Sequence, residues 1–159
     1  MKKLGVISVE DLATAANQTQ TVRPHCILVV DDDKDLRQLS IDLLIDSGYE
    51  VESANNGAAG WEAVQAARYD LIITDNLMPK MTGIEMIEKI RDARMSLPII
   101  MATRYLPMYE FDRQPWLRPD AALERPCSND VLLSTVKRLL RAEDSYRAQM
   151  NMLLPEYLR

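Results

Sequence analysis

The sequence predicts an α/β protein built on a doubly wound, five-stranded parallel sheet, a (βα)5 sandwich of three layers. Two observations lead to this prediction. Short apolar runs typical of buried strands alternate along the chain with longer segments whose apolar residues recur every three or four positions. Strands that alternate with helices in this way form a parallel sheet covered by helices on both faces.

The first three elements follow from the first continuous apolar run. Cys26 to Val30 is β-branched and apolar, as a buried parallel strand is. Helical spacing of leucine and isoleucine then predicts a helix over 34–47. Residues 49–53 alternate as a second strand, and Asn56-Gly57 makes the turn into a second helix.

The remaining strands complete the sheet. Leu71 to Ile73 is a short apolar run that predicts a central third strand, and Gly83 opens a third helix after a turn-rich segment. Residues 98–103 predict the fourth strand and residues 121–124 a weak fifth. An amphipathic helix over 130–141 closes the domain.

The segment between the fourth and fifth strands breaks this alternation. A helix is due there, but three prolines interrupt it, and a proline in a helix interior costs about 3 kcal/mol. They are Pro107, Pro115 and Pro119. We expect one or two helical turns near 108–114 and an otherwise irregular fourth helix. Trp116, within this segment, is either a packing residue or an exposed part of a partner surface.

Composition restricts the function classes. The 159 residues are 47% hydrophobic and 27% charged, the balance of an ordinary globular domain with a real core. The net charge of −5 argues against nucleic acid or an anionic membrane as a direct partner. No apolar run approaches the roughly 20 residues of a membrane span, and Glu10 and Asp11 end the apolar start too early for a signal peptide. We therefore expect a cytoplasmic location.

The chain divides into three predicted regions. Residues 1–23 form an N-terminal extension with a short helix over 9–16, residues 24–141 form the domain, and residues 142–159 form a helical tail. Neither terminus is long enough for a DNA-binding or enzymatic output domain. The chain is therefore expected to be a stand-alone domain or a fragment of a longer protein.

Apolar residues continue into the tail at steps of three and four, with one step of seven across Glu143. Two interpretations remain open. The last helix either continues until just before Pro155 and offers a seam to a partner helix, which would allow a homodimer, or it ends in a solvated and frayed tail.

The cysteines and the histidine receive no catalytic role. Cys26 and Cys127 have no metal-like spacing, and we expect free, partly buried thiols. His25 has no partner in the sequence.

Polar side chains follow the predicted strands at the edge where open α/β sheets place their ligands. Asp31 and Asp32 come after the first strand, Asp75 after the third, Thr103 after the fourth and Arg125 after the fifth. Clustered carboxylates suit a hard cation, and few protein ligands suit Mg²⁺ better than calcium. Beside Mg²⁺, Asp75 stays ionised and can act as a nucleophile toward a phosphoryl donor. The metal, a hydroxyl and a cation would then neutralise the phosphoryl oxygens.

Each of these residues also has a purely structural interpretation. Asp31 to Asp33 could cap the first helix. Asp75 could be an ordinary turn residue, and Thr103 is of a type common in strands. Arg125 could pair on the surface with its neighbour Glu124 or with Asp120.

Four motifs in order resemble the receiver domain of two-component response regulators, over about residues 24–141. The motifs are Ile27 to Asp33, then Asp75 followed by Met78-Pro79 and Gly83, then Pro98 to Thr103, and finally Arg125-Pro126. The resemblance implies a flavodoxin-like fold and a signalling module rather than an enzyme.

The resemblance also implies roles for individual residues. Asp75 would accept a phosphoryl group from a histidine kinase or a phosphotransfer protein, and output would run through contacts with an unidentified downstream protein. Asp31 and Asp32 would hold Mg²⁺ together with Asp75 and the backbone carbonyl of Leu77. The Thr103 hydroxyl would turn inward onto the phosphoryl group.

The sequence departs from the family pattern at two positions. Arg125 stands where the family has a lysine, and guanidinium is planar and longer than an ammonium group. Ala122 stands where the family tends to have an aromatic switch residue. These departures motivate an alternative, a pseudo-receiver that binds partners without phosphorylation. An aspartyl-phosphate phosphatase is a weaker alternative, because that class needs a second aspartate at the position of Leu77.

Overall fold

The fold is an open parallel sheet with helices on both faces. The computed structural model describes residues 23–157, with side chains to residue 153. The strands are β1 (Cys26–Val30), β2 (Glu50–Ala54), β3 (Leu71–Thr74), β4 (Ile99–Thr103) and β5 (Ala121–Glu124). The helices are α1 (Lys34–Asp46), α2 (Gly57–Ala66), α3 (Gly83–Asp92), α4 (Met108–Arg113) and α5 (Asn129–Tyr157), with a 3₁₀ turn at Pro115–Leu117. The described residues thus confirm the predicted (βα)5 sandwich.

The strand order places two predicted site strands side by side. The order is β2-β1-β3-β4-β5, with every neighbouring pair parallel. Val30 pairs with Thr74 in the register of β1 and β3, and the Asp75 N–H donates to the Val30 carbonyl at 3.0 Å. Asp31 and Asp75 therefore leave the sheet next to each other, at the point where the strand order reverses and open α/β sheets bind ligands.

Two apolar layers hold the helices against the sheet. One face of β1, β3 and β4 packs under α2, α3 and the α4 segment, and the other packs under α1 and α5. The fully buried large side chains are Ile27, Leu28, Leu44, Leu71, Ile72, Ile73, Met86, Ile87, Ile90, Ile99, Ile100 and Met101. Each contributes about 1.5–3 kcal/mol by leaving water. The strands that carry the candidate site are thus the best buried part of the molecule.

Side-chain caps fix where the helices start. Asp33 accepts the N–H groups of Asp35 and Leu36 at 3.0 Å each, so it caps α1. Thr82 and Glu85 form a capping box at the start of α3. The capping interpretation of the acidic run therefore holds for Asp33, whereas Asp31 and Asp32 are not the cap of α1.

The fourth helix is short and irregular, as the prolines predict. α4 has six residues and no side-chain cap, and the 3₁₀ turn follows it. Phe111 and Leu117 are buried and anchor the segment to the α2–α3 side of the core. Tyr105, Tyr109 and Trp116 remain exposed, so the aromatic surface of this segment faces solvent.

The last helix is longer than the domain needs. α5 has 29 residues, about 44 Å at 1.5 Å per residue, and it continues without a break past residue 141. It ends at Tyr157, beyond Pro155 and not before it. The proline lies in the last turn, where few further hydrogen bonds remain to be disrupted. The division into a domain and a tail at residue 141 stays a prediction, and the short helix predicted over 9–16 lies outside the described residues.

Two further observations concern the whole described range. Cys26 opens β1 and Cys127 follows β5, and both are free thiols. Burial raises the pKa of the Cys26 thiol, and the carboxylates of Glu52, Glu50 and Asp70 add to this effect. Between residues 23 and 157, no helix has the length and apolar character needed to cross a membrane.

Candidate functional site

Three carboxylates meet at the carboxyl edge of the sheet. One oxygen each from Asp31, Asp32 and Asp75 lies within 4.8 Å of the other two. Asp31 is buried, Asp32 is exposed and Asp75 is half-buried, so the group opens to solvent on one side. Carboxylate oxygens at this spacing are the donors that a hard divalent cation takes. The residues therefore fit Mg²⁺.

The loop after β3 holds Asp75 in place. The Asp75 Oδ1 atom accepts the backbone N–H of Asn76 at 2.7 Å. Asn76 is itself buried and accepts the N–H groups of Gly83 at 2.9 Å and Ile84 at 3.1 Å. These bonds join the loop to the first turn of α3, so the backbone that carries Asp75 cannot shift independently of that helix.

Gly83 allows this close approach. A Cβ atom at this position would clash with the backbone carbonyl oxygen of Asp75 and would lie 3.0 Å from the Asn76 Cα atom. Both neighbours are backbone atoms, which cannot rotate away as a side chain can. Glycine is therefore required here for packing rather than for a special backbone angle.

Asp31 is the most heavily engaged of the three carboxylates. Its side chain is 1% exposed, its Oδ1 atom accepts the Asp33 N–H at 2.9 Å, and its Oδ2 atom lies 2.6 Å from Arg125 Nη1. Its backbone carbonyl accepts Arg37 Nη1 at 2.6 Å. A buried carboxylate needs such partners because leaving it unpaired is costly.

Arg125 reaches across the sheet edge and not along the surface. Its backbone N–H donates to the Thr103 carbonyl at 2.8 Å, and the peptide bond to Pro126 is cis. Its guanidinium is bound to Asp31, which overturns the surface pairing with Glu124 or Asp120. Asp120 instead accepts the backbone N–H of Ile99 at 2.8 Å and lies 3.4 Å from an arginine on α3.

The other predicted site residues lie around the same edge. Thr103 is 1% exposed at the end of β4, next to Arg125. Leu77 lies in the loop after Asp75 with its side chain exposed. The ligand role of its backbone carbonyl stays a prediction, as do the roles of the other site residues.

Backbone N–H groups and nearby cations make Asp33 more acidic than usual. The pKa of Asp33 is lowered mainly by the backbone N–H of Leu36, then by that of Asp35, with Arg104 and Arg125 adding to the effect.

Sequence reasoning singled out Arg125 but missed Arg37. Arg37 is one turn into α1, and only the curvature of the β1–α1 loop brings its guanidinium back to the Asp31 carbonyl. The sequence held no signal for that contact.

A comparison with known families decides the identity of this fold. The family model described as "Response regulator receiver domain" matches residues 27–137. The chain belongs to the response-regulator receiver family. Its members are signalling modules of two-component systems, so the predicted resemblance is confirmed.

Curated relatives support the same assignment. The transcriptional regulatory protein DltR of Streptococcus agalactiae is 31% identical over 122 residues, which cover 77% of this chain and 54% of DltR. The CpxR homologue of Haemophilus influenzae is 34% identical over 121 residues, which cover 75% of this chain and 52% of the homologue. The chain thus spans about half the length of the curated relatives it matches.

Solved structures share the architecture. The response regulator TrrA of Thermotoga maritima, crystallised in complex with Mg²⁺-BeF, is 34% identical with a TM-score of 0.66 and covers 72% of this chain and 98% of that chain. A CheY-like receiver domain protein of Methanospirillum hungatei is 28% identical with a TM-score of 0.73, covering 77% and 98%. Both comparisons place this chain in the receiver fold.

Proposed function

We propose that Asp75 of this receiver accepts a phosphoryl group from a histidine kinase or a phosphotransfer protein. The observation that carries the proposal is the meeting of Asp75 with Asp31 and Asp32, within 4.8 Å, at the switch point of a receiver-family sheet. An isolated turn aspartate would have no reason to lie beside two further carboxylates, because like charges repel.

The residues of this chain divide the work of phosphoryl transfer. An Asp75 carboxylate oxygen attacks phosphorus and an O–P bond forms. The P–N bond of a phosphohistidine whose other ring nitrogen is protonated breaks, so that a neutral imidazole leaves. Asp31 and Asp32 would hold Mg²⁺ with Asp75 and the Leu77 carbonyl, and the ion would supply positive charge to the phosphoryl oxygens. Thr103 would donate a hydrogen bond to the transferred group.

This chain offers the donor protein a docking surface beside the site. A groove runs between α1 and the first turn of α5, and Leu36, Leu39 and Leu132 line it. Leu39 is 66% exposed although it is a large apolar side chain. We propose this groove as the docking surface for the helix that carries the donor histidine, since apolar helix faces bind such grooves.

The deciding experiment is intact mass spectrometry after incubation with a small phosphoryl donor and Mg²⁺. We expect one phosphoryl adduct on the wild-type chain, none on Asp75→Ala, and one on Asp92→Ala, an exposed aspartate at the end of α3 that serves as the matched control. An adduct that persists in Asp75→Ala would place the acceptor elsewhere. No adduct on any variant would contradict phosphoryl acceptance.

A second candidate function, the pseudo-receiver, is favoured by one observation. The Arg125 guanidinium lies on Asp31, a carboxylate that the metal needs. If this contact were permanent, the chain would bind partners without phosphorylation. Titration with Mg²⁺ separates the two candidates, because a receiver without metal affinity cannot perform the transfer.

We also propose that α5 pairs with a second copy of the chain. Tyr146 and Met150 are exposed at a helical spacing of four, and Leu153 follows three residues later. Such a stripe on a helix is typical of a two-helix seam. Light scattering on the wild-type chain and on Met150→Glu tests the pairing. We expect a dimer that becomes a monomer in the variant, and a monomeric wild-type chain would contradict it.

A further inference from the structure

A cleft lies at the amino edge of the sheet, at the start of β3 and opposite to Asp75. It has a volume of about 830 Å³ and lies between the end of α2, the loop before β4 and α5. Cavities that bind small molecules have volumes of about 300–1,000 Å³. The cleft is therefore large enough for a small-molecule ligand, and the proposed phosphoryl transfer at the other edge makes no use of it.

Three arginines from separate parts of the chain line this amino-edge cleft. Arg23 precedes β1, Arg68 follows α2 and Arg147 is on α5, and all three are exposed. Among the described residues 23–153, Asp70 is the only acidic residue in the lining. The walls of the cleft thus present three guanidinium groups and a single carboxylate.

Asp70 holds two of these arginines in place. Its Oδ1 atom lies 3.2 Å from Arg147 Nη1, and its Oδ2 atom lies 3.5 Å from Arg23 Nη2. The Asp70 side chain is 4% exposed, whereas those of Arg147 and Arg23 are 50% and 67% exposed. Glu143 and Asp144 belong to the same cluster but do not line the cleft. A ligand in the cleft therefore meets the free N–H groups of two guanidiniums and little of the carboxylate.

Arg68 has no such tie to the fold. Within residues 23–153, no ion pair includes its guanidinium. Its N–H donors are consequently available to a ligand, and replacing it removes no ion pair of the described structure. Gln65 and Ser96 add uncharged polar groups to the same lining.

We propose that the amino-edge cleft binds a small molecule that carries two or more phosphate groups. Planar guanidinium donates paired hydrogen bonds to phosphate oxygens, which makes arginine the preferred side chain for this anion. The two arginines held by Asp70 supply donors for one phosphate group, and Arg68 supplies donors for another. A single phosphate ion would fill only a small part of a cleft of this volume.

Such a ligand would also fasten the tail helix to the domain. Arg147 is on α5 and Arg68 follows α2, so an anion that contacts both arginines joins these two elements. A ligand that binds only the closed arrangement opposes local opening of the helix. Occupancy of the cleft is therefore expected to slow amide hydrogen exchange around Arg147.

Isothermal titration of the full chain with pyrophosphate, in buffer free of divalent cations, tests the proposal. Without a metal, the three carboxylates at the opposite edge repel phosphate, so binding there does not interfere. We expect pyrophosphate to bind about tenfold more tightly than inorganic phosphate, because only the longer anion engages both sets of donors. We expect Arg68→Gln to weaken the binding of pyrophosphate about tenfold, through the loss of one charge-assisted contact.

The matched control is Arg138→Gln. Arg138 is an exposed arginine on α5 that does not line the cleft, so this variant has the same change in net charge. We expect less than about a twofold change in its affinity for pyrophosphate, because salt screens a distant surface charge. If Arg68→Gln does not fold, Arg23→Gln replaces it, with the same expected weakening.

Hydrogen exchange with and without pyrophosphate locates the bound anion. We expect slower exchange over residues 142–150 in the wild-type chain and in Arg138→Gln, and no such change in Arg68→Gln. Pyrophosphate that binds without slowing exchange in this segment would place the anion elsewhere and would overturn the proposal.

ADP in place of pyrophosphate distinguishes two sources of the phosphate groups. Binding of ADP at least as tight as that of pyrophosphate, with the same loss in Arg68→Gln, supports the proposal with a nucleotide as the ligand. Tighter binding of pyrophosphate supports it with a ligand recognised through its phosphates alone. The proposal is overturned if neither compound binds, or if Arg68→Gln binds pyrophosphate as tightly as Arg138→Gln does.

Discussion

Two buried aspartates lie at opposite ends of the sheet, and their surroundings differ. Within residues 23–153, Asp31 and Asp70 are the aspartates that the structure buries, and each contacts arginine. Asp70 precedes β3 at the amino edge, and its neighbours supply donors only. Asp31 follows β1 at the carboxyl edge and has two further carboxylates beside it.

Asp70 joins three parts of the chain. It accepts the Cys26 N–H at 2.9 Å, it lies 3.2 Å from Arg147 on α5, and Arg23 lies at 3.5 Å. His25 is 3.7 Å from Asp70 and 3.2 Å from Asp144, so this histidine belongs to the same cluster. Asp144 and Glu143 add their carboxylates to this cluster, which ties the tail helix to the start of β1.

The difference shows which buried carboxylate is free for chemistry. Two arginines contact the single Asp70 carboxylate, so its contacts stabilise the fold. At Asp31 one arginine faces three carboxylates, so the site retains negative charge that a further cation can neutralise. Burial alone does not distinguish the two residues, but the local balance of charge does.

The largest expected effect is on stability, from Asp70→Asn. The change removes the charge that holds two arginines, and losing one partner of a fully buried pair costs about 3–5 kcal/mol. Because Arg147 and Arg23 are 50% and 67% exposed, we expect about 2–3 kcal/mol here. Urea unfolding measures the loss. A change below about 0.5 kcal/mol would show that Asp70 is not a structural tie.

The dependence of stability on pH gives the next largest effect. Burial pushes the pKa of Asp70 upward, but the Cys26 N–H, Arg147, Arg23 and His25 outweigh it, and the net pKa is lowered. The unfolded chain therefore takes up this proton first as the pH falls, from a pKa of about 3.9. The stabilisation is complete above that value and is lost as the pH falls through the folded pKa.

Unfolding of the wild-type chain and of Asp70→Asn between pH 3 and pH 6 isolates this contribution, since other carboxylates titrate in both. We expect the two stability curves to converge as the pH falls. Curves that stay parallel would mean that Asp70 keeps its ordinary pKa.

A smaller effect is expected from Arg147→Gln. The variant loses one contact to Asp70 and one to Glu143. Because Arg147 is itself 50% exposed, each contact is expected to contribute about 0.2–1 kcal/mol, as exposed ion pairs do. We expect faster amide hydrogen exchange over residues 142–153 and no change in β3. Arg138→Gln, an exposed arginine on the same helix, is the control and should leave exchange unaltered.

The smallest change in stability is expected at the other aspartate. Asp31→Asn breaks the pair with Arg125 but also removes one of three clustered like charges, and the remaining two can still hold the guanidinium. We expect a loss below about 1 kcal/mol by urea unfolding, together with loss of Mg²⁺ binding by titration. A loss as large as that of Asp70→Asn would erase the contrast between the two edges.

The sequence predicted the elements well because their signals are local. Cys26 to Val30 and Leu71 to Ile73 are continuous apolar runs, and the structure finds strands within one residue of each. The convergence of Asp31 and Asp75 was predictable as well, since parallel strands end at a common edge. Each of these inferences needed only residues that are neighbours along the chain.

Partners that lie far apart in the chain were beyond the sequence. Asp70 takes its donors from residues 44 and 77 positions away, and nothing near it in the sequence indicates a tie. Arg125 could reach several acidic residues, and only the three-dimensional path from β5 to β1 selects Asp31, 94 positions away. The length of the last helix was open for a similar reason, because Glu143 interrupts its apolar pattern.

The length of α5 has a consequence for how many proteins can bind the chain at once. Arg147 marks the place where the helix passes the amino edge of the sheet, so residues 150–157 lie at the end remote from Asp75. A protein that binds this end shares no surface with one that binds at the carboxyl edge. A phosphoryl donor and a partner bound to the tail could therefore be bound to the chain at the same time. Phosphorylation would then not require the tail-bound partner to dissociate.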